Sequence, residues 1–240
     1  MSKPGKRLAN PALFICDLQE KFRPAIHEFP KVISTAQKML KASKILNIPV
    51  VATTQNRARL GETCPELNLD TQDGITTLVH ADKSLFSMWT PEVRDALSKL
   101  STPLSCVIVG IESHICVTQT TLDLLREGYK VYILADGVSS CNKEEIPVAL
   151  ARLRAEGAVV TTSESWLYEC MGDAGIEEFR GIVKLVKETS GTTKDEWDNE
   201  GRVAGACQDM NGEEVTQREL VGWPWCGEHG AYVIGNVTLR

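Results

Sequence analysis

The sequence predicts an α/β protein with a doubly wound, mainly parallel sheet that carries helices on both faces. Short apolar runs of strand length alternate with longer segments of helical periodicity as far as residue 189. The first run, "ALFIC", is apolar throughout, which is typical of a strand buried on both faces. The chain has 240 residues, of which 42% are hydrophobic, and this is enough for one large domain with a buried core.

The first half of the chain contains the patterns of three strands and two helices. Apolar residues such as Val32 and Met39 recur at helical spacing before the second apolar run, "IPVVATT". Thr90 suits the N-cap of a later helix and Pro91 its first turn. The predicted elements are strands at 12–16, 48–54 and 75–80 and helices at 31–46 and 91–100.

The second half continues the alternation. "LSCVIVG" is the fourth apolar run, and the helix behind it is predicted to end at Gly128. The remaining elements are strands at 104–110, 130–136 and 158–162 and helices at 115–127, 143–157 and 175–189. Strands that alternate with helices are joined by right-handed crossovers, so we expect a parallel sheet covered on both sides.

The composition changes near Ser190, and residues 190–240 are more acidic and lack long apolar periodicity. We expect a domain over residues 10–189 followed by an irregular, partly disordered extension. A zinc module is an alternative, but Cys207, Cys226 and His229 supply three ligands where a structural site usually has four. An artefact of the gene model is a second alternative.

Charge and composition exclude several classes of partner. The net charge of −6 disfavours nucleic acid, which needs a clustered positive surface. No apolar stretch reaches the roughly 18 residues of a membrane span. The first residues lack the apolar region of a secretory signal, and Pro4 and Gly5 disfavour the helix of a mitochondrial presequence, which stays an alternative. Eight cysteines without a CxxC pair indicate reduced thiols, so we expect a cytoplasmic protein.

Three reactive residues follow three different predicted strands. Asp17 follows the first, Lys83 the third and Cys116 the fourth. Ligands of open parallel sheets bind at the carboxyl ends of the strands, where the strand order reverses. If the first and fourth strands are neighbours, Asp17 and Cys116 face each other at that point. Taken singly, the three residues have ordinary interpretations as a turn former, a solvated charge and a space-filling thiol.

Together the three residues suit nucleophilic catalysis. A cysteine attacks as its thiolate, and a helix N-terminus stabilises that anion through unpaired N–H groups. Asp17 can accept the thiol proton and later return it to a leaving amine. Lys83 can keep Asp17 ionised and stabilise the negative charge of the thiolate.

Three motifs resemble the isochorismatase-like cysteine hydrolases, and specifically a eukaryotic, fungal-type member of the isochorismatase domain-containing group. They are "FICDLQEKF", "HADKSLFSMW" and "VIVGIESHICVTQTTLDLLREGYKVYILADGVSS", and the resemblance covers about residues 10–188. It implies a six-stranded parallel, Rossmann-like sheet and a catalytic set of Asp17, Lys83 and Cys116. It also implies a cis peptide between Ile111 and Glu112, an oxyanion hole formed by the N–H groups of Glu112 and Cys116, and a homo-oligomer.

Two departures from related enzymes bear on the chemistry. Nicotinamidases of this superfamily carry an Asp-x-His metal motif after the second strand, whereas this chain has Gln55 and Asn56 there. We therefore expect no metal and no cofactor, and nicotinamide is disfavoured as substrate. Relatives that hydrolyse a vinyl ether can lack the cysteine, so the presence of Cys116 favours covalent acyl transfer.

Several other residues receive weaker assignments. Asp136 is expected to organise a loop, and His114 is ranked below Asp17 as a base because it lies only two residues before Cys116. Residues that flank the catalytic loops are candidates for a substrate pocket, although they would also serve as core packing: Phe22, Gln55, Phe86 and Trp89.

The sequence thus predicts a metal-independent hydrolase of a small amide or related acyl compound, acting through a Cys116 thioester. An ether hydrolase that uses Asp17 as its acid is one alternative. A catalytically idle protein, whose extension binds a partner through Trp223 and Trp225, is another. A nucleotide-binding Rossmann protein is disfavoured because no G-x-G-x-x-G motif follows the first strand.

Overall fold

The computed structural model describes residues 7–69 and 75–198, with side chains as far as residue 189. Within these residues the sheet contains β1 Pro11–Cys16, β2 Val50–Gln55, β3 Thr77–Lys83, β4 Ser105–Ile111, β5 Lys130–Ser139 and β6 Val159–Thr161. The helices are α1 Phe29–Leu46, α2 Arg57–Leu60, α3 Pro91–Ser98, α4 Thr118–Arg126, α5 Glu145–Ala155, α6 Ser163–Met171 and α7 Phe179–Asp198.

The strand order is β3-β2-β1-β4-β5-β6, and every pair is parallel. This is a doubly wound order, so the predicted fold class is confirmed. Strands β1 and β4 are neighbours, with Cys16 opposite Gly110 at their carboxyl ends. The reversal of strand order therefore lies between β1 and β4, and Asp17 directly follows β1 at that point.

Alternate residues of β1 enter different layers of the core. Leu13 and Ile15 pack with the apolar faces of α1, α6 and α7. Ala12, Phe14 and Cys16 pack on the opposite side, with residues of α3, α4 and α5. The helices thus cover both faces of the sheet, and this core belongs to the unit Met1–Lys194.

Strand β3 is longer than predicted, because it ends at Lys83 and not at residue 80. It is an edge strand whose side chains are mostly half-buried, so polar residues such as Asp82 continue it without a penalty of burial. Lys83 pairs with Gln55 of β2 in the sheet register. The side chain of Lys83 is therefore fixed by a strand and not by a loop.

Helix α6 was missed by the sequence analysis. Thr162 caps it by accepting a hydrogen bond from the Ser165 N–H, and four of its side chains are buried in the core, those of Trp166, Leu167, Cys170 and Met171. The cap and the apolar spacing were visible signals, and the nine-residue helix is as long as α4. Helix α7 begins at Phe179 and continues beyond residue 189. The rest of the predicted extension, from residue 199 onward, lies outside the described residues, so the predicted domain division stays a prediction.

Candidate active site

Asp17 is the first residue after β1, and its φ of 52° turns the chain at the carboxyl edge of the sheet. Its side chain is buried, and both carboxylate oxygens accept hydrogen bonds. Thr53 Oγ1 donates to Oδ1 over 2.8 Å, and Lys83 Nζ donates to Oδ2 over 2.6 Å. A buried carboxylate with these partners is held in one orientation.

Lys83 reaches Asp17 from the end of β3, and its side chain is inaccessible to solvent. Its ammonium also lies 2.8 Å from Gln55 Oε1 and about as close to two backbone oxygens, at 3.1 Å from Leu85 and 3.0 Å from Phe86. An ammonium has three N–H donors, so these four acceptors occupy all of them. Lys83 is consequently placed to orient Asp17 and not to contact a substrate.

The charge of Lys83 is stabilised by its surroundings. Burial opposes the charged form, but the nearby groups of Cys16, Asp17 and Cys116 outweigh it and raise the pKa of Lys83 above its usual value. Lys83 therefore carries its positive charge throughout the neutral range, close to both thiols.

Cys116 lies in a π-helical turn, Ser113–Val117, that connects β4 to α4. The Glu112 carbonyl accepts from the N–H groups of Ile115 (3.0 Å) and Val117 (3.1 Å), which holds the turn, and the Ile111–Glu112 peptide is cis. Single turns of π-helix occur frequently at functional sites. Cys116 is only 7% exposed, so the described residues leave a narrow approach to its sulfur.

The approach of β1 and β4 at this point requires a glycine. Gly110 has a φ of 128°, and a Cβ atom there would lie 2.1 Å from the Cys16 carbonyl oxygen. Any larger residue would separate the two strands where Asp17 and the turn of Cys116 converge.

A second thiol, Cys16, belongs to the site and was missed by the sequence analysis. Its Sγ donates to Asp17 Oδ2 over 3.7 Å, and its side chain belongs to the same buried cluster as Cys116. Burial raises the pKa of Cys16 well above its usual value, and the neighbouring Cys116 thiol and the charge of Asp17 raise it further, while Lys83 lowers it. Cys16 is therefore a neutral thiol between a carboxylate and the predicted nucleophile.

Gln55 is a member of the lysine network. Its Oε1 accepts from Lys83, and its Nε2 donates to the Ser84 carbonyl over 3.0 Å. Gln19, which the sequence analysis did not single out, is buried and holds Gln55 in turn. Gln19 Oε1 accepts from the Gln55 N–H over 2.7 Å, and its Nε2 donates to the Gly61 carbonyl over 2.6 Å.

The other pocket candidates lie in different surroundings. Phe86 is 50% exposed, while its carbonyl is tied to Lys83. Phe22 packs against the core layer of α1. The Trp89 indole donates to Glu127 over 3.2 Å and packs edge-on against Tyr129. These contacts lie beyond the carboxyl end of α4, whereas Cys116 precedes its amino end.

The loop after β5 closes another side of the turn that carries Cys116. Glu112 Oε2 accepts from the Cys141 N–H over 2.8 Å, and His114 Nδ1 lies 2.9 Å from Ser140 Oγ. His114 is thus engaged by this loop, and its lower rank as a base stays a prediction. Asp136 of β5 holds the first residue of α6, since its carboxylate accepts hydrogen bonds from the backbone N–H and the hydroxyl of Ser163.

Among the described residues, one group has the composition and spacing for a metal ion. Ligand atoms of Glu20, Cys64 and Glu66 lie within 4.8 Å of one another. Arg23 already pairs with Glu20 at 2.7 Å and with Glu66 at 2.5 Å, so a cation is supplied by the chain itself. No helix in the described part of the chain combines the length and apolar character needed to cross a membrane.

Comparison with known proteins finds similar sequences and a similar fold in other organisms. The family model of the isochorismatase domain matches residues 11–165. The secreted isochorismatase effector Isc1 of Phytophthora sojae is 42% identical and covers 78% of this chain and 92% of its own length. Isochorismatase domain-containing protein 2 of Xenopus laevis is also 42% identical, over 78% of this chain and 88% of its own. A solved structure named as the MAR1 ribonuclease of Caenorhabditis elegans is 36% identical, with a TM-score of 0.68 over 78% of this chain and 93% of that one.

Proposed function

The chain belongs to the isochorismatase domain family, and we propose that it hydrolyses a small amide or related acyl compound through a thioester on Cys116. One observation carries the proposal. A buried carboxylate, oriented by an inaccessible lysine, lies beside buried thiols at the point where the strand order reverses. These groups supply a base, a fixed positive charge and a nucleophile in one place.

The first half of the reaction forms the thioester. Asp17 takes the proton of Cys116, and the thiolate attacks the carbonyl carbon of the substrate. The carbonyl oxygen becomes negative and is received by the backbone N–H groups of Glu112 and Cys116. The C–N bond then breaks, and the amine leaves with the proton that Asp17 had taken.

The second half releases the acid. Asp17 accepts a proton from water, whose oxygen attacks the thioester carbon, and the bond to sulfur breaks as the carboxylic acid leaves. The proton on Asp17 returns to Cys116. Thr53 and Lys83 hold the carboxylate in place through both steps.

The proposed chemistry uses no metal. The residues that end β2 at this edge are amides, and the side chain of Gln55 is already committed to Lys83 and Ser84. Gln55 therefore supplies neither the imidazole nitrogen nor the carboxylate oxygen that usually binds Zn²⁺. Its oxygen instead accepts from the ammonium that positions Asp17.

Mass spectrometry after incubation with a panel of amides and activated esters tests the proposal. We expect an acyl adduct on Cys116 in the wild type, no adduct in Cys116→Ala, and no turnover in Asp17→Asn. A vinyl ether belongs in the panel, because turnover of it by Cys116→Ala would favour the alternative in which Asp17 acts as an acid. A short RNA belongs there too, since the C. elegans relative is named a ribonuclease. RNA cleavage that needs Asp17, without any acyl adduct, would contradict the proposal.

We also propose a cytoplasmic homo-oligomer. Leu85 and Phe86 are 55% and 50% exposed beside the edge strand β3, and a second copy of the chain would cover this apolar surface. Light scattering of the purified protein should give a multiple of the mass of one chain. A monomer at micromolar concentration would contradict the assembly.

A further inference from the structure

Two buried thiols meet beside the catalytic carboxylate. Cys16 ends β1, and Cys116 lies in the turn after the neighbouring strand β4. Both side chains belong to the same core layer, on the face covered by α3, α4 and α5. They are neighbours in that layer, since the Cys116 thiol contributes to the raised pKa of Cys16, and neither is in a disulfide.

The other described cysteines have different surroundings. Cys106 and Cys170 are buried in the core, and Cys64 lies among Glu20, Glu66 and Arg23. Cys141 is exposed on the loop that contacts Glu112. Among the described cysteines, Cys16 is thus the thiol that shares both the core layer and the electrostatic surroundings of the proposed nucleophile.

We propose that Cys16 and Cys116 form a reversible disulfide when a peroxide oxidises Cys116, and that this disulfide switches the hydrolase off. The inference rests on the proposed function in that Cys116 is taken as the reactive thiolate. An oxidised cysteine next to a second thiol is resolved as a disulfide before it can be oxidised further.

The chemistry balances with peroxide as the oxidant. The Cys116 thiolate attacks one peroxide oxygen, the O–O bond breaks, and the released hydroxide leaves as water after taking a proton, which gives a sulfenic acid. The Cys16 sulfur then attacks the sulfenic sulfur, the S–O bond breaks, and the hydroxide leaves as a second water. Two thiols and one hydrogen peroxide become one disulfide and two waters.

The surroundings of Cys16 suit a resolving role. Attack by a thiol requires removal of its proton, and Asp17 Oδ2 already accepts a hydrogen bond from Cys16. Burial keeps Cys16 protonated at rest, so it does not compete with Cys116 for substrate or peroxide. Because the two thiols lie in one buried layer at the ends of neighbouring strands, a local approach of the sulfurs can form the bond.

Peptide mapping under non-reducing conditions tests the inference. The full-length protein is treated with increasing hydrogen peroxide, the remaining thiols are blocked with N-ethylmaleimide, and all eight cysteines are mapped. We expect a cross-linked peptide pair containing Cys16 and Cys116, lighter by two hydrogens, and full recovery of Cys116 labelling after dithiothreitol. In Cys16→Ser and Cys16→Ala, Cys116 should proceed to sulfinic and sulfonic acid that dithiothreitol does not reverse. Cys141→Ser is the matched control and should behave as the wild type.

Other outcomes overturn the inference. These are a Cys116 cross-link to Cys141 or to any other cysteine, a stable sulfenic acid without a cross-link, or a Cys116 that peroxide leaves intact. Thermal unfolding shows whether each Cys16 variant folds. In a variant that folds, the oxidation state of Cys116 after peroxide treatment shows whether Cys16 protects it. The cross-link is detected by its mass and does not require turnover. A protein that forms the cross-link but hydrolyses no acyl compound would contradict the proposed function alone, and one that hydrolyses without forming it would contradict this inference alone.

Discussion

Lys83 Nζ lies 2.6 Å from Asp17 Oδ2, and both side chains are excluded from solvent. Pairs of this kind contribute little net stability when formed, but removal of one partner leaves an uncompensated buried charge. Substitution of either residue should therefore lower the stability of the protein and alter the reactivity of the site.

Lys83→Met should lower the free energy of unfolding by about 3–5 kcal/mol, because the Asp17 carboxylate loses its counter-charge in a buried site. It should also slow alkylation of Cys116, since a nearby positive charge is lost. Urea denaturation and iodoacetamide labelling measure the two effects. The double variant Asp17→Asn, Lys83→Met is the control and should regain part of the stability. A single variant as stable as the wild type would show that the pair is not buried in solution.

Cys116 should react with iodoacetamide faster at pH 7 than any other cysteine, although Cys141 is exposed and Cys116 nearly buried. A hydrogen bond with Glu112 and burial raise the pKa of Cys141, so less of it is thiolate at neutral pH. Labelling resolved by peptide across pH 6–10 tests this, and the rate at Cys141 should rise toward that at Cys116 above about pH 9. Asp17→Asn should leave Cys116 at least as reactive while abolishing turnover. If Cys116 labels no faster than Cys64, it is an ordinary buried thiol.

The protein should lose stability as the pH rises above 9. Burial raises the pKa of Cys106 from 9.0 to about 12, so between these values the folded state binds a proton that the unfolded state has released. The free energy of unfolding then falls with pH, by up to about 1.4 kcal/mol per pH unit for each such thiol. Cys16 acts in the same direction. Lys83, whose pKa is raised from 10.5, adds to the loss from about pH 10.5 upward, where the unfolded state releases a proton that the folded state keeps. Denaturation series from pH 7 to 11 measure the slope, which Cys106→Ala should reduce; an unchanged slope would contradict the assignment.

A chain ending after Thr189 should fold cooperatively, with a free energy of unfolding within about 1 kcal/mol of the full chain. It keeps Ile182 and Leu185 of α7, which are buried in the core. A chain ending after Phe179 is the comparison and should lose several kcal/mol with those two side chains. Aggregation of the longer truncation would place the domain boundary beyond residue 189.

A chelator should leave turnover unchanged, because the proposed mechanism draws its positive charge from Lys83. Activity is compared before and after EDTA treatment, with Arg23→Gln as a variant that frees Glu20 and Glu66 to bind a cation. Activity that is lost to EDTA and restored by zinc in the wild type would overturn the metal-free proposal.

Most strands and helices could be predicted because their signals are local. An apolar run such as "ALFIC", the Thr90 cap and the Gly128 stop act within a few residues of themselves. Helix α6 carried the same kind of signal in its Thr162 cap and was missed, although it is no shorter than α3, which was predicted. The π-helical turn before α4 has no periodic signature, so the predicted helix began within the turn.

The sequence by itself determined the doubly wound class and the positions of Asp17, Lys83 and Cys116 at strand ends, because apolar periodicity and the order of elements are properties of neighbours along the chain. Only the tertiary structure decided what these residues touch. Strand order and register bring Cys16 to Asp17 and into the same layer as Cys116. They also decide that four acceptors occupy the Lys83 ammonium and that the Trp89 indole binds Glu127. Those arise from packing of the whole core, which joins residues that are far apart in the chain and leaves no local trace of the pairing.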